Sequence, residues 1–244
     1  MLILRTDKKI FYLKQITFIL FFVFSVICAN AQLTRPVNNP RYDFQRLHFG
    51  FTIGINSMDF TIHNSGAFFG LDSIYSVENQ PQPGFNLGII SDLKIVEGLN
   101  LRFLPGLNFG QRDMTYIVRK DSSFYEKVMK IESTFLDFPL VFKYRALRHN
   151  DYRPYLIAGG SLKYDLAAQK EIKDEEKPKI RLNRTDLYYQ FGLGIDFYLP
   201  YFKFSTEIKY EVGMFNMLQP DNTQYSSAIE RMNSKLIMIS FHFE

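Results

Sequence analysis

Residues 189–199 read YQFGLGIDFYL, and this stretch decides the fold because large apolar side chains alternate in it with small or polar ones. Successive side chains of a β-strand point to opposite faces. One face of this segment therefore carries Leu193 and Ile195, and the other carries Gly192, Gly194 and Asp196. The alternation predicts a strand with one face in an apolar medium and the other in a polar one.

The same alternation recurs along the chain. Seven more segments follow it, near residues 47–56, 84–96, 99–111, 132–145, 154–166, 202–213 and 234–243. Each is about as long as the ~9 to 11 residues that a tilted strand needs to cross the hydrocarbon of a bilayer. Pro105 and Pro139 lie inside two of these segments, and a proline removes a donor from the ladder. We therefore expect locally broken pairing at both prolines.

The connections between these strands alternate in length. Short ones occur at Glu97–Gly98, at 146–153 and at Pro200–Tyr201, and long polar ones occupy 57–83, 112–131, 167–183 and 214–233. Short periplasmic turns and long external loops are typical of outer-membrane barrels, whereas a soluble exported β-protein has no reason to sort its loops. The sequence predicts an all-β fold over 47–244: a closed, eight-stranded antiparallel transmembrane β-barrel with four long external loops and three short periplasmic turns.

Residues 1–31 have the order of a secretory signal peptide. Lys8, Lys9 and Lys14 precede an apolar run over 16–27, and Ala29-Asn30-Ala31 follows it. The alternative is an N-terminal anchor helix, but the run is shorter than the ~20 residues that span a bilayer. The signal predicts export to the outer membrane, and residues 32–46 are interpreted as an extended periplasmic arm.

The single cysteine, Cys28, falls inside this leader. Lipidation at Cys28 is an alternative, although Val26 and Ile27 are not the small residues that precede such a site. Cleavage after Ala31 leaves a mature chain without any thiol. Disulfides, thiolate catalysis and cysteine-rich metal sites are then excluded.

The charge balance excludes a nucleic-acid binder. The chain has 29 Lys and Arg against 25 Asp and Glu, and the leader holds four of the cations and one of the anions. The remaining 25 basic and 24 acidic residues give a net charge of about +1. No large positive excess is left to displace counterions from phosphates.

The polar faces of the strands must line the barrel interior. The set predicted to point inward is Asp92, Lys94, Arg102, Arg112, Lys143, Arg145, Asp196, Glu207, Lys209 and Glu211. An eight-stranded barrel is barely wide enough for its own side chains, so these groups are expected to pair with one another rather than to line a conducting pore. The tyrosines assigned to the interfacial girdles are Tyr144, Tyr164, Tyr198, Tyr201 and Tyr210.

The search for catalytic chemistry gives one weak constellation. His48 and His242 are both assigned to the inward face of strands that closure makes neighbours, and Ser240 and Glu211 complete a hydrolytic arrangement on paper. We favour structural histidines and predict no enzyme activity, no cofactor and no metal. The mixed-charge loop 167–184 is interpreted as solvated surface, with a docking surface for a partner or for anionic lipid as the alternative.

Six runs carry a resemblance to a known family. They are residues 39–43 (NPRYD), 48–51 (HFGF), 58–60 (MDF), 135–140 (FLDFPL), 153–160 (RPYLIAGG) and 239–243 (ISFHF). Together they make the chain similar to the PorT family of outer-membrane proteins, known as SprT in gliding bacteria. The resemblance implies a non-enzymatic component of the type IX protein secretion system, needed in some bacteria for gliding motility.

The resemblance supplies no catalytic, cofactor-binding or metal-binding residues. The partners it implies are outer-membrane lipid and other type IX secretion proteins, with no nucleic acid and no small-molecule substrate. Because eight strands leave no room for a protein to pass, we expect an accessory or assembly role rather than the conduit. The alternative function is that of a general small outer-membrane barrel with a structural or adhesive role.

Overall fold

The computed structural model of the protein describes residues 37–65, 74–120, 123–168, 180–219 and 224–244. The predicted signal peptide, with Cys28, lies outside the described residues, as do most of the charged loop 167–184 and parts of the other long connections. The contact pattern groups Asn38–Glu244 into one compact unit.

The described chain is almost entirely β-structure. A short 3-10 turn at Tyr42–Phe44 is followed by β1 (Leu47–Asn64), β2 (Ile74–Val96), β3 (Leu99–Phe103), β4 (Gly106–Lys120), β5 (Ser123–Arg145), β6 (Tyr152–Asp165), β7 (Arg181–Leu182), β8 (Thr185–Tyr198), β9 (Lys203–Gly213), β10 (Leu218–Gln219), the four-residue helix α1 (Gln224–Ser227) and β11 (Ile229–Phe243). Within the described ranges, no helix combines the length and the apolar character that a membrane span requires.

The strands close into a barrel. The antiparallel order β1-β11-β9-β8-β6-β5-β3-β2 returns to β1, and β4 continues β3 in the same position between β2 and β5. Counting β3 and β4 as one interrupted strand gives the predicted ring of eight. Closure is made where β1 pairs with both β11 and β2, for example at Gly54, which lies opposite Ser240 on one side and Asn86 on the other. The predicted fold class is confirmed.

The two prolines lie opposite each other at one interruption of the wall. Pro105 falls in the gap between β3 and β4, as expected. Pro139 does not break its own strand, because β5 runs through it and pairs it with Ser161 of β6. The carbonyl of Pro139 accepts a hydrogen bond from the amide of Leu104, and that of Pro105 accepts one from Ile89. One interruption of the wall therefore accommodates both prolines, neither of which has an amide hydrogen to donate.

The predicted bounds of two long loops are wrong. β1 and β2 extend to Asn64 and back from Ile74, so strand occupies most of 57–83, and β4 and β5 remain paired up to Lys120 and Ser123 through 112–131. These four strands, with β11, project beyond the ends of β6, β8 and β9. The 214–233 connection holds β10 and α1 and the first residues of β11.

The barrel therefore has two parts. The band is the part whose outward side chains are apolar, and it contains Phe49, Ile53, Leu87, Leu140 and Leu193. The dome is the extension formed by residues 57–64, 74–83, 111–120, 123–134 and 229–235 together with β7, β10 and α1. Many outward residues of the dome, such as Asp59, Thr61 and Glu132, are polar and at least partly exposed, although Tyr75, Phe124 and Val128 are exposed there as well.

Candidate functional site

The band encloses a network of buried ion pairs, of which Arg102 is the most connected member. Arg102 is fully buried, and its guanidinium lies 3.0 Å from the carboxylate of Asp92, 3.3 Å from that of Glu207 and 3.1 Å from that of Glu244. The phenol of Tyr155 donates a further hydrogen bond to Glu207 at 2.9 Å. One guanidinium therefore ties together side chains from four separate strands and the residue that follows β11.

A second group of pairs lies beside it. Lys143 donates to Asp196 at 2.7 Å and sits 3.7 Å from the centre of the Tyr155 ring. Ser205 also donates to Asp196, at 2.6 Å. These contacts join β5, β6, β8 and β9 across the interior, so the wall is braced from within.

A third group lies nearer the dome. Lys163 bridges Asp137 at 2.5 Å and Glu211 at 2.8 Å, and Lys209 reaches the same Glu211 at 2.9 Å. The hydroxyl of Ser161 donates to Asp137. An intact buried ion pair contributes little net stability. Removing one member destabilises the fold strongly, because the other member is left buried and charged without a partner.

The predicted inward set is placed correctly. Nine of its ten members are buried, and Lys94 lies at the rim that carries the short turns, where its ammonium contacts Glu97 at 2.5 Å. The sequence reasoning omitted several buried charges, namely Asp137, Arg153, Lys163, Asp165, Asp186, Lys203 and Glu244. Strand alternation could have found most of them, since Lys163 and Asp165 occupy the same face as Ser161.

The charges inside the band balance. The buried cations are Arg102, Arg112, Lys143, Arg145, Arg153, Lys163, Lys203 and Lys209, and the buried carboxylates are Asp92, Asp137, Asp165, Asp186, Asp196, Glu207, Glu211 and Glu244. Among the described residues the two sets are equal in number, so this part of the interior carries no excess of one sign.

Arg112 marks the boundary between the band and the dome. It is fully buried, and within the described residues no carboxylate lies within ion-pair distance of it. Its guanidinium donates to the hydroxyls of Ser133 and Ser234 and lies 3.9 Å from the centre of the Phe60 ring. A guanidinium can be held in this way by hydroxyl acceptors and an aromatic face.

The dome is filled with apolar side chains rather than charges. Its core comprises Phe60, Ile74, Met114, Tyr116, Val118, Met129, Ile180, Leu182, Met217, Leu218, Ala228, Ile229 and Met232. These residues come from the projecting strands, from the β7–β10 pair and from the chain around α1. The four methionines suit an interior assembled from short, irregular pieces, because unbranched thioether chains fill uneven gaps.

The opposite end is covered by the chain that precedes β1. Tyr42 is buried, stacks on His48 with ring centres 3.8 Å apart, and donates to Glu244 at 2.9 Å. Burial, with the carboxylate of Glu244 as a second cause, raises the pKa of Tyr42 far above its usual value. Burial alone would raise the pKa of Glu244, but Lys203 and Arg102 outweigh it and hold that pKa well below its usual range.

Asp43 fixes the same segment to the barrel rim. Its carboxylate lies 3.1 Å from Arg153, 3.2 Å from Arg148 and 3.8 Å from Arg145. The expectation of an extended arm is therefore wrong for its described part: residues 38–46 form a folded strap across the opening. Asp43 holds it there because three arginines surround the opening, and Tyr42 holds it because the ring of His48 offers a surface on which it stacks.

The hydrolytic arrangement drawn from the sequence is not assembled. β1 and β11 are neighbours as expected, but His242 lies opposite Thr52, four residues along the strand from His48. His48 is covered by Tyr42, and His242 lies 3.3 Å from Glu207 rather than beside Glu211. Ser240 accepts a hydrogen bond from the Asn86 side chain at 3.3 Å.

Among the described residues, a cavity of about 20 Å³ lies beside Thr52, Asn86 and His242, which is room for roughly one water molecule. In the part of the chain that the structure describes, no group of three or more His, Cys, Asp or Glu side chains is arranged to hold a metal ion.

One of the predicted girdle tyrosines is misplaced. Tyr144 and Tyr201 are 63% and 94% exposed on the outer wall, and Tyr164 and Tyr210 are half-buried there. Tyr198 is 1% exposed and points inward, where the Arg148 guanidinium lies 3.6 Å from its ring centre. Strand alternation requires this, because Tyr198 shares its face with Asp196.

A family model for the outer membrane protein beta-barrel domain matches residues 30–219, most of the chain. The chain belongs to this outer-membrane barrel family. The outward apolar surface of the band is accordingly its lipid-facing surface, and the outer membrane is its location. By the convention of such barrels, the short turns and the strap lie on the periplasmic side and the dome lies outside the cell.

Several solved barrels have a similar fold. Neisserial surface protein A is 10% identical, covers 81% of this chain and 98% of its own, and superposes with a TM-score of 0.43. The outer membrane protein OprG from Pseudomonas aeruginosa is 12% identical with coverages of 81% and 91% and a TM-score of 0.45. Ail, the attachment invasion locus protein of Yersinia pestis, is 11% identical with coverages of 82% and 98% and a TM-score of 0.35. A comparison with curated proteins returned no match.

Proposed function

We propose that this outer-membrane barrel acts through protein contacts at its external surfaces, without catalysis and without passing cargo through its interior. The observation that carries the proposal is the filled interior. Fully buried Arg102, Lys143, Lys163 and Lys203 occupy the band, and an apolar core fills the dome. A protein in transit would have to displace all of these pairs at once.

We further propose that the process served is type IX protein secretion, in an accessory or assembly role. The support is the resemblance of the opening segment 39–60 and of the later runs to the PorT family. The first of these runs, residues 39–43, contains Tyr42 and Asp43, the two residues that close the periplasmic opening.

The test is deletion of the gene in its own host, followed by measurement of type IX cargo in the medium. We expect cargo to accumulate inside the cell and the plasmid-borne wild type to restore its release. Two variants separate a contact role from a conduit role. Phe124→Asp changes an exposed dome side chain and should impair release if contacts matter. Gly160→Ala adds a methyl to the outer wall and should restore release fully.

Normal release from the deletion strain would reject the secretion role. Release that survives changes across the whole dome surface, but fails when Lys163 and Asp137 are exchanged in a folded barrel, would instead indicate that the interior takes part. Folding of each variant is checked by its resistance to protease in isolated outer membranes.

A structural or adhesive role is the second candidate. The dome exposes aromatic side chains on its outer surface: Tyr75 is 67% and Phe124 is 57% exposed, and their rings meet edge to face at 5.4 Å. Exposed aromatic groups are common at binding surfaces. A deletion strain with normal cargo release but weaker attachment to surfaces or other cells would favour this role.

A further inference from the structure

The periplasmic strap divides its residues between two environments. Tyr42 and Asp43 point into the barrel opening and are held by Glu244, His48 and Arg153. The neighbouring Phe44 does the opposite and is 86% exposed. Arg41 and Arg46 on either side are exposed as well. An almost fully exposed phenylalanine between two exposed arginines is not explained by the closure of the opening.

The position of this segment is fixed by its connection to the wall. The carbonyl of Arg46 accepts a hydrogen bond from the amide of Lys94 at 2.7 Å, so Arg46 continues the pairing of β1 with β2. The next residue, Leu47, lies opposite Leu93, and both side chains belong to the lipid-facing band. Phe44 is two residues from Arg46, which limits its distance from the wall to about 7 Å. It therefore lies at the periplasmic edge of the lipid-facing surface.

Other connections at this end have a similar character. Leu147, between β5 and β6, is 88% exposed, and Tyr201, between β8 and β9, is 94% exposed. Apolar and aromatic side chains placed around one rim are suited to the boundary between acyl chains and headgroups. Phe44 continues this surface from the wall onto the strap.

We propose that Arg41–Arg46 is a phospholipid-binding segment of the periplasmic leaflet. Phe44 inserts at the level of the glycerol backbone and upper acyl chains, and Arg41 and Arg46 bind phosphate oxygens of anionic phospholipid headgroups. A guanidinium matches the geometry of phosphate oxygens, and basic side chains beside an interfacial aromatic group strengthen binding to anionic lipid. The strap then closes the barrel with one face and is held to the membrane with the other.

The first experiment uses the absence of tryptophan from the chain, which makes an introduced indole the only one present. Phe44→Trp is reconstituted in vesicles that contain phosphatidylglycerol, with and without lipids brominated near the glycerol end of the acyl chain. We expect blue-shifted emission that the brominated lipid quenches. Phe51→Trp, in the lipid-facing band, is the matched control for an indole known to contact lipid.

Emission of Phe44→Trp at the wavelength of an indole in water, with no quenching by brominated lipid while Phe51→Trp is quenched, would overturn the proposal. That outcome would indicate that the exposed segment awaits a periplasmic protein instead. The fold of each variant is verified by its resistance to unfolding in the same vesicles, so a lost signal is not mistaken for a misfolded barrel.

The second experiment tests the arginines. In the Phe44→Trp background, Arg41→Gln and Arg46→Gln are combined and examined in vesicles of pure phosphatidylcholine and of phosphatidylcholine with phosphatidylglycerol. With both arginines present, the blue shift and the quenching should increase with anionic lipid. Without them, that dependence should be lost. A dependence on anionic lipid that persists in the double variant would contradict their assignment as phosphate ligands.

Discussion

The two parts of strand β1 have opposite polarity on each face. In the band, Phe51 and Ile53 point outward while His48 and Thr52 point inward; in the dome, Asp59 and Thr61 point outward while Phe60 points inward. The period of two is unbroken across the change. What changes is the medium outside the wall, which is lipid around the band and water around the dome. The interior changes from charged side chains in the band to apolar side chains in the dome.

This comparison explains where the charged network ends. A continuous apolar outer wall is favourable only in lipid, so in the dome most of the apolar side chains fill the inside, where they are removed from water. In the band the outer wall is already in an apolar medium, and the inside can hold paired charges. Arg112 lies at the change, held by serine hydroxyls on one side and an aromatic ring on the other.

The largest effect is expected from a neutral replacement of Arg102. Arg102→Met leaves the carboxylates of Asp92, Glu207 and Glu244 without their shared cation, which should cost about 3 to 5 kcal/mol of unfolding free energy. Arg112→Met removes a cation that has no carboxylate partner in the described chain. It should cost at most about 2 kcal/mol through its lost hydrogen bonds. Urea unfolding in lipid vesicles measures both.

Equal losses in the two variants would contradict the distinction between a charge that belongs to a network and one held at the boundary. A double replacement, Arg102→Met with Glu207→Gln, should recover part of the loss. It removes one of the carboxylates that the single variant leaves uncompensated.

A charge on the outer wall tests the change of medium directly. Leu193 in the band and Val128 in the dome are 56% and 52% exposed, so they differ mainly in what lies outside them. Leu193→Arg should cost about 2 to 4 kcal/mol because it places a cation near the bilayer midplane. Val128→Arg should change the unfolding free energy by no more than about 0.5 kcal/mol. Urea unfolding in lipid vesicles measures both variants. A large loss of unfolding free energy in Val128→Arg would show that the membrane extends over this part of the dome.

Crowding of the inner face predicts a smaller effect at adjacent glycines. A methyl group at Gly159 would collide with the carbonyl oxygen of Leu140, whereas one at Gly160 would lie 3.4 Å from its nearest neighbour, the carbonyl of Tyr188. Gly159→Ala should therefore cost about 1 to 3 kcal/mol, and Gly160→Ala less than about 0.5 kcal/mol. Similar unfolding midpoints for the two would mean that the wall relaxes easily around an added methyl group.

The band could be predicted from sequence in detail, while the dome and the strap could not. Alternation with apolar residues outward identified the eight strands and nine buried charges. The same assumption made 57–64 and 112–120 look like loops, since their apolar residues, such as Met58 and Met114, lie on the inward face. A search for period two that ignores which face is apolar would have recovered them. The strap escaped prediction because Tyr42 and Asp43 form hydrogen bonds with Glu244 and Arg153, which lie more than 100 residues away in sequence.

The smallest effect is expected for the ion pair of Lys94 and Glu97, which lies outside the interiors of both the band and the dome. Glu97, in the turn between β2 and β3, has a side chain that is 69% exposed, and its hydrogen bond from Lys94, with a further one from Arg153, lowers its pKa. A carboxylate with a lowered folded pKa contributes stability that is present above the unfolded value of about 4.3 and is lost as the pH falls through the folded value.

Because the pair is exposed, Glu97→Gln should cost less than about 1 kcal/mol at pH 7. The difference from wild type should stay constant down to about pH 4.5, shrink below it, and decrease when salt is added. Urea unfolding at several pH values measures it, and a loss comparable to that of Arg102→Met would show that burial is not what separates the rim pair from the interior network.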